Sequence, residues 1–188
     1  CIDMELAPPP KKQILTSRSF GKMVTSYADV SEAVASFAVN CSDKLRRQNS
    51  CASSLMVFIH TNQFREDLPQ YFRNYTVTLP TPSDSSLVIV KYAMRALEQV
   101  FKEGYHYKKA GVLITEVVGK DAIQRNLFDD HDTAKHDRLM ESLDFLNKKY
   151  HHNKVLVGAQ GTNYAWKLRR QLLSPCYSTK LSDIIVVK

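Results

Sequence analysis

Tyr75-Thr76-Val77-Thr78-Leu79 decides the fold: large apolar residues alternate with threonines at the period of a half-buried strand, and Pro80 and Pro82 follow as its expected stop. Another β-rich run, Leu55 to His60, precedes it without a helical pattern between the two. Two successive strands therefore sit at the centre, and the flanks complete the pattern. Upstream, Ile14 to Phe20 is an extended run closed by Gly21. Thr25 or Ser26 can cap a helix in which Val30, Val34, Phe37, Cys41 and Leu45 recur at spacings of three and four, ending near Asn49. Downstream, Ser83 or Asp84 opens a second helix with Ile89, Ala93, Leu97 and Val100 on one face, Phe101 beside them and Gly104 after its end. Ala110 to Val118 supplies the last strand.

The order β-α-β-β-α-β predicts an α+β, ferredoxin-like unit, with two helices on one face of a four-stranded antiparallel sheet and the opposite face open. An open sheet face in a basic protein suits nucleic acid, and the same face serves dimer contacts in other proteins of this architecture. Arg18 with Lys22 near the first strand, and Lys108 with Lys109 leading into the last, are candidate phosphate contacts. Ser17, Ser19, Thr76 and Thr78 can donate hydroxyls to the same oxygens. For each of these the competing reading is a solvated surface side chain.

Composition sets the outer bounds. The 188 residues allow one ordinary domain, or a domain of about 100 residues with a smaller appendage. With 44% hydrophobic and 24% charged residues the chain is globular rather than wholly disordered. The net charge of +7 is shared by both halves and favours polyanionic partners. The four cysteines, Cys1, Cys41, Cys51 and Cys176, are widely spaced without a C-x-x-C pair, so reduced thiols are expected. Apolar runs such as Leu87 to Val90 fall far short of the ~18 residues that cross a bilayer. The chain starts at Cys1 without an initiator Met or a signal-peptide pattern, and Pro8-Pro9-Pro10-Lys11-Lys12 reads as a stiff lead-in from an earlier part of a longer protein.

After the last strand, Ile123-Gln124-Arg125-Asn126-Leu127-Phe128-Asp129-Asp130 fits a short peptide that docks in a pocket of another protein. Gln124 offers an amide, and Leu127 with Phe128 forms an aliphatic and aromatic plug. The surrounding Asp121, Asp129, Asp130, His131 and Asp132 lack apolar periodicity, as in an exposed linker. The Leu-Phe pair also admits a plain packing reading. Asp129, Asp130 and Asp132 have no strand to fix them at the spacing a two-metal site needs, so they read as solvated acids.

Beyond the linker, Leu139, Leu143 and Leu146, with Met140 beside them, predict a helix from Thr133 to Tyr150. Val155 to Gly158 reads as a short strand and Asp183 to Val187 as another, giving a small α+β C-terminal domain. Trp166 is expected to pack in a core, while Arg169 and Arg170 stay open to phosphate or a partner. His151 and His152 are adjacent, which suits an exposed helix end better than a metal site. There is no P-loop, dinucleotide turn or G-x-S-x-G elbow.

Four segments in order, Ser17-Arg18-Ser19-Phe20-Gly21, Tyr107-Lys108-Lys109-Ala110-Gly111-Val112, Asn126-Leu127-Phe128-Asp129-Asp130 and Leu173-Ser174-Pro175-Cys176-Tyr177, together resemble the UmuC group of Y-family translesion DNA polymerases, also called the ImpB/MucB/SamB group. That group includes the catalytic subunit of bacterial DNA polymerase V. The resemblance implies that residues 1–12 are a tether from an upstream thumb, and that residues 13–119 form the DNA-gripping little finger. Residues 120–132 become a linker whose Gln124, Asn126, Leu127 and Phe128 bind the sliding clamp, and residues 133–188 a C-terminal domain of the UmuC type. DNA contacts would fall to Arg18, Ser19, Lys22, Thr76, Thr78, Lys108 and Lys109. Catalytic and metal-binding residues would lie in an upstream palm that uses Mg²⁺, leaving this chain inactive and without a cofactor. The implied partners are damaged primer-template DNA, the clamp, and UmuD′ and RecA during the SOS response, in the bacterial cytoplasm at the nucleoid. Arg125 departs from the group's clamp motif, where Leu or a similar residue is usual, and is expected to weaken docking.

Two other classes compete. An RNA-recognition motif has the same strand and helix order, but Tyr75 to Leu79 lacks its aromatic base-stacking signature. A self-associating module would use the open face to form a homodimer.

Overall fold

The computed structural model describes residues 10–123, 133–150, 154–168 and 173–184. Its elements are β1 (Ile14–Val24), α1 (Tyr27–Arg47), β2 (Ser50–Thr61), β3 (Phe72–Ser83), α2 (Ser86–Val100), β4 (Tyr107–Gly119) and α3 (Thr133–Lys149), with 3-10 turns at Lys120–Ala122, Gly158–Gln160 and Leu181–Asp183. The α+β, ferredoxin-like arrangement expected from the β-α-β-β-α-β order is the one observed.

The strand order is β1-β4-β2-β3, with every neighbouring pair antiparallel. β1 and β2 therefore run parallel with β4 between them, and β3 and β4 run parallel with β2 between them. Each β-α-β crossover is split by an inserted strand, which leaves β1 and β3 as the edges.

The edge position explains β3. The sequence predicts a stop at Pro80, yet the strand continues through Pro80 and Pro82 to Ser83. A proline on an edge strand sacrifices no inner ladder bond, and the β2–β3 register shifts between Ala52 and Ser54, opposite the prolines. The second helix also starts later than Ser83 or Asp84, with Ser85 at its N-cap. The Ser83 hydroxyl accepts the Ser85 amide at 3.2 Å, and the Asp84 carboxylate is taken by Lys120 at 3.0 Å.

α1 presents Val30, Val34, Phe37, Cys41 and Leu45 to the sheet, all buried as the helical spacing predicts. α2 adds Ile89, Ala93, Leu97 and Val100. They close over Ile14, Leu55, Val57, Ile59, Ala110, Val112 and Ile114, forming one core with the helices on one side of the sheet. Each large aliphatic or aromatic side chain buried there contributes about 1.5–3 kcal/mol. Asp29 in the first turn of α1 and Lys44, Arg46 and Arg47 in its last turn match the helix dipole.

α3 lies against the start of α2 and the end of α1. Met140 is buried and its Sδ accepts the Ser86 amide at 3.3 Å, while Ser85 Oγ and His136 Nδ1 are 3.0 Å apart. The predicted leucine stripe is only partly used, since Leu139 remains 48% exposed and Leu143 and Leu146 are half-buried. The predicted strand at Val155 to Gly158 is absent. Asn147 Oδ1 accepts the Lys154 and Val155 amides, its Nδ2 donates to the Val155 carbonyl, and Gln160 Oε1 accepts the Val157 amide. Side chains thus satisfy the backbone that a sheet would have paired. The predicted strand at Asp183 to Val187 lies largely outside the described residues, and Leu181–Asp183 is a 3-10 turn.

Candidate nucleic-acid interface

Strand alternation and register fix what the open face displays. Three cross-strand rows run across it from β1 through β4 and β2 to β3: Leu15–Leu113–Met56–Thr76, Ser17–Gly111–Phe58–Asn74, and Ser19–Lys109–His60–Phe72. No acidic side chain occupies any of the three. The first row is mainly apolar, with Leu15 51% exposed, and the third joins a hydroxyl, an ammonium and two rings. His60 and Phe72 have centroids 6.2 Å apart, and His60 Nδ1 lies 2.8 Å from the Thr61 carbonyl, so that nitrogen carries the proton and donates.

Phe58 crosses the middle row because Gly111 has no side chain. A Cβ at Gly111 would collide with the Phe58 ring and stand 2.6 Å from Ser17 Cβ. Gly111 thus leaves the space over β4 that the Phe58 ring occupies.

The structure brings Ser19, Lys109 and Thr76 onto this face, and Thr78, two residues along β3, shares the side of Thr76. Arg18 is exposed but pairs with Ala110, so alternation puts it on the helix side of the edge strand β1. Lys22 is exposed where the β1–β4 register shifts. Lys108 is engaged, its Nζ donating to the Phe20 carbonyl at 2.8 Å. The candidate cations therefore surround one corner, where β1 meets the start of β4, and Lys109 is the one that stands in the rows.

Residue type alone does not single out Asn74, His60, Phe58 and Phe72, which the sequence-based expectations omit. Counting by two from Thr76 reaches Asn74 and Phe72, and alternation from Leu55 puts Phe58 and His60 opposite the core, so the strand period itself carried the signal. Gln124, Asn126, Leu127 and Phe128 lie outside the described residues, as do Arg169, Arg170, His151 and His152.

Among the described residues no group of three or more His, Cys, Asp or Glu side chains could hold a metal ion. Asp84 and Asp137 bind Lys120, each at 3.0 Å, and Asp144 binds Arg46 at 2.6 Å. Among those residues no helix is long and apolar enough to cross a membrane.

Residues 11–127 match the impB/mucB/samB family C-terminal domain. The chain belongs to this family. Residues 137–187 match a domain of unknown function. The chain is 36% identical to protein UmuC of Salmonella typhimurium, over 100% of this chain and 45% of that protein. It is 37% identical to protein ImpB of the same organism, over 98% of this chain and 43% of that protein, and 36% identical to protein MucB of Escherichia coli over the same shares. The chain spans less than half the length of these impB/mucB/samB relatives and corresponds to their C-terminal part.

Proposed function

We propose that this chain is the non-catalytic, DNA-gripping part of a UmuC-like translesion polymerase. Its open sheet face runs along the primer-template backbone, and Gln124, Asn126, Leu127 and Phe128 tether it to the sliding clamp. One arrangement carries the first half of this reading: Ser17, Ser19, Asn74, Thr76 and Lys109 gather hydrogen-bond donors in three rows that hold no acidic side chain, with Glu116 one row further along opposite Ser54 and Thr78, and with Arg18, Lys22 and Lys108 around the basic corner. Hydroxyls, amides and cations of this kind hold phosphate without reading sequence.

In this reading nucleotidyl transfer with Mg²⁺ takes place in a palm of the longer protein. UmuD′ and RecA join that protein after DNA damage. Asp84, Asp137 and Asp144 keep their lysine and arginine partners and take no part in the chemistry.

The test is a titration of primer-template duplex across salt concentrations. Affinity should be insensitive to sequence and fall steeply with salt. Arg18→Ala, Lys22→Ala and Lys109→Ala combined should flatten the log–log slope by about 0.9 for each phosphate that is no longer neutralised. Lys108 is left intact because its amine holds the Phe20 carbonyl. Unchanged affinity and slope in a folded triple variant would remove this face from the assignment.

A further inference from the structure

We infer that the segment from Gly161 to Trp166, within the matched domain of unknown function, is a brace that pins the irregular part of β1 and so fixes the basic corner of the open face. The β1–β4 register breaks between Ser19 and Val24, which leaves the backbone at Phe20 and Gly21 out of the regular ladder. Two groups from elsewhere meet it. The Gly21 amide donates to the Trp166 carbonyl at 3.1 Å, and Lys108 Nζ donates to the Phe20 carbonyl at 2.8 Å. The one peptide group that joins Phe20 to Gly21 is thus held at both ends, its N–H by the C-terminal segment and its C=O by Lys108 of β4.

The brace has two anchors. At one end the Trp166 ring, 5% exposed, meets Phe37 edge-on at 5.3 Å and Phe20 at 6.5 Å, so it belongs to the core under β1 and α1. At the other, Glu32 Oε1 on α1 accepts the amides of Asn163 at 3.1 Å and Tyr164 at 3.4 Å. Gly161 is essential to this seat. Its φ is +57°, and the Glu32 carboxylate fills the space a Cβ would take. Among the described residues the buried Trp166 Nε1 has no hydrogen-bond partner, and the contacts that seat the indole there are those of its ring with Phe37 and Phe20. Ser19, next to Phe20, stands in the row with Lys109, and movement at the kink shifts that row. Trp166 is a positioning residue for the DNA face, and this last link alone rests on the function proposed above.

Amide hydrogen exchange on the full chain tests the brace. In Trp166→Ala the Gly21 amide should exchange faster by on the order of tenfold or more, while amides of the central strand β2 keep their protection. Trp166→Phe should retain the Gly21 protection. Gly161→Ala, which breaks the other anchor, should reproduce the local loss. Unchanged Gly21 protection in Trp166→Ala or in Gly161→Ala would overturn the brace, as would damage by Trp166→Phe equal to that by Trp166→Ala. If Trp166→Ala unfolds the whole chain, the other two variants decide by the same criteria. Duplex affinity should fall several-fold in Trp166→Ala and hold in Trp166→Phe, and equal affinity in both would overturn the link to the DNA face. A wild-type chain that binds no duplex refutes the DNA reading, and the exchange result then judges the brace on its own.

Discussion

The Arg46 guanidinium grips Asp144 through two hydrogen bonds, Nε to Oδ2 at 2.6 Å and Nη2 to Oδ1 at 2.7 Å, and so ties the end of α1 to α3. The same arginine donates through Nη1 to the Asp84 carbonyl at 2.9 Å and to Ser86 Oγ at 3.1 Å. Its side chain is 11% exposed against 35% for Asp144, so the two ends of the pair are not equivalent. Arg46→Ala takes a donor from three groups, of which Ser86 Oγ keeps Ser42 Oγ at 2.6 Å, and should cost about 2–3 kcal/mol, whereas Asp144→Ala, on the wetter side, should cost about 1 kcal/mol. Urea unfolding of both single variants and the double variant measures this. Equal costs would mean that Arg46 acts only through the carboxylate.

Gly111→Ala should destabilise the chain by about 1–3 kcal/mol, because the new methyl meets the Phe58 ring and Ser17 in a packed face. Adding Phe58→Ala should recover part of that loss, since the clash is mainly with the ring. A double variant no more stable than Gly111→Ala alone would place the strain in the β4 backbone instead.

Alkaline pH should weaken the fold at the base of α3. Burial, helped by the Asp84 and Asp137 carboxylates and opposed by Lys120, pushes the Cys51 thiol from 9.0 to about 12. The unfolded chain therefore ionises this thiol first, and stability fully present below pH 9 is lost progressively between pH 9 and about 12. Lys120 adds to the same trend. Burial lowers its pKa, but its bonds to Asp137 and Asp84 prevail, so its contribution is complete below the ordinary 10.5 and lost as pH rises through the higher folded value. Unfolding free energies from pH 8 to 11 should fall, with a shallower decline in Cys51→Ala. An identical decline in that variant would remove Cys51 from the account. At pH 8 the exposed Cys176 should take up a thiol reagent while native Cys41 and Cys51 do not.

A synthetic peptide spanning Asp121 to Asp132 should bind the sliding clamp on its own, with a dissociation constant in the micromolar range, about −8 kcal/mol. Leu127→Ala with Phe128→Ala should abolish binding and leave the thermal stability of the full chain nearly unchanged. Arg125→Leu should tighten it. Loss of the fold in the double variant, together with no binding by the peptide, would make the pair a packing contact.

The helices and strands were legible because one period governs each of them: the α1 stripe from Val30 to Leu45 and the Leu55–Val57–Ile59 alternation both reached the core as spaced. Strand order was not legible, since nothing local distinguishes a central β4 from an edge one. Pro80 and Pro82 misled for the same reason, as their cost depends on a neighbour chosen by the whole sheet. The donors Ser19, Thr76 and Lys109 are legible by residue type, while Phe58, an apolar residue, shows itself on this face only when the strand period is followed from Leu55, and the room for its ring depends on Gly111 across the strand. Trp166 was expected to be buried, but its partners Phe20 and Phe37 lie far back in the chain, and no window around Trp166 contains them.

The central place of β4 also bears on how the chain acquires its shape. β1 has its hydrogen-bonded neighbour nearly a hundred residues later, and β2 and β3 can form only a two-stranded ribbon before Tyr107 to Gly119 arrives. During synthesis the first half must wait with exposed strand edges until the last strand slides between β1 and β2. Folding should therefore be slow for the chain's size and vulnerable to aggregation at that stage. Any product truncated before Tyr107 should fail to form the sheet, since it would lack the strand to which both halves attach.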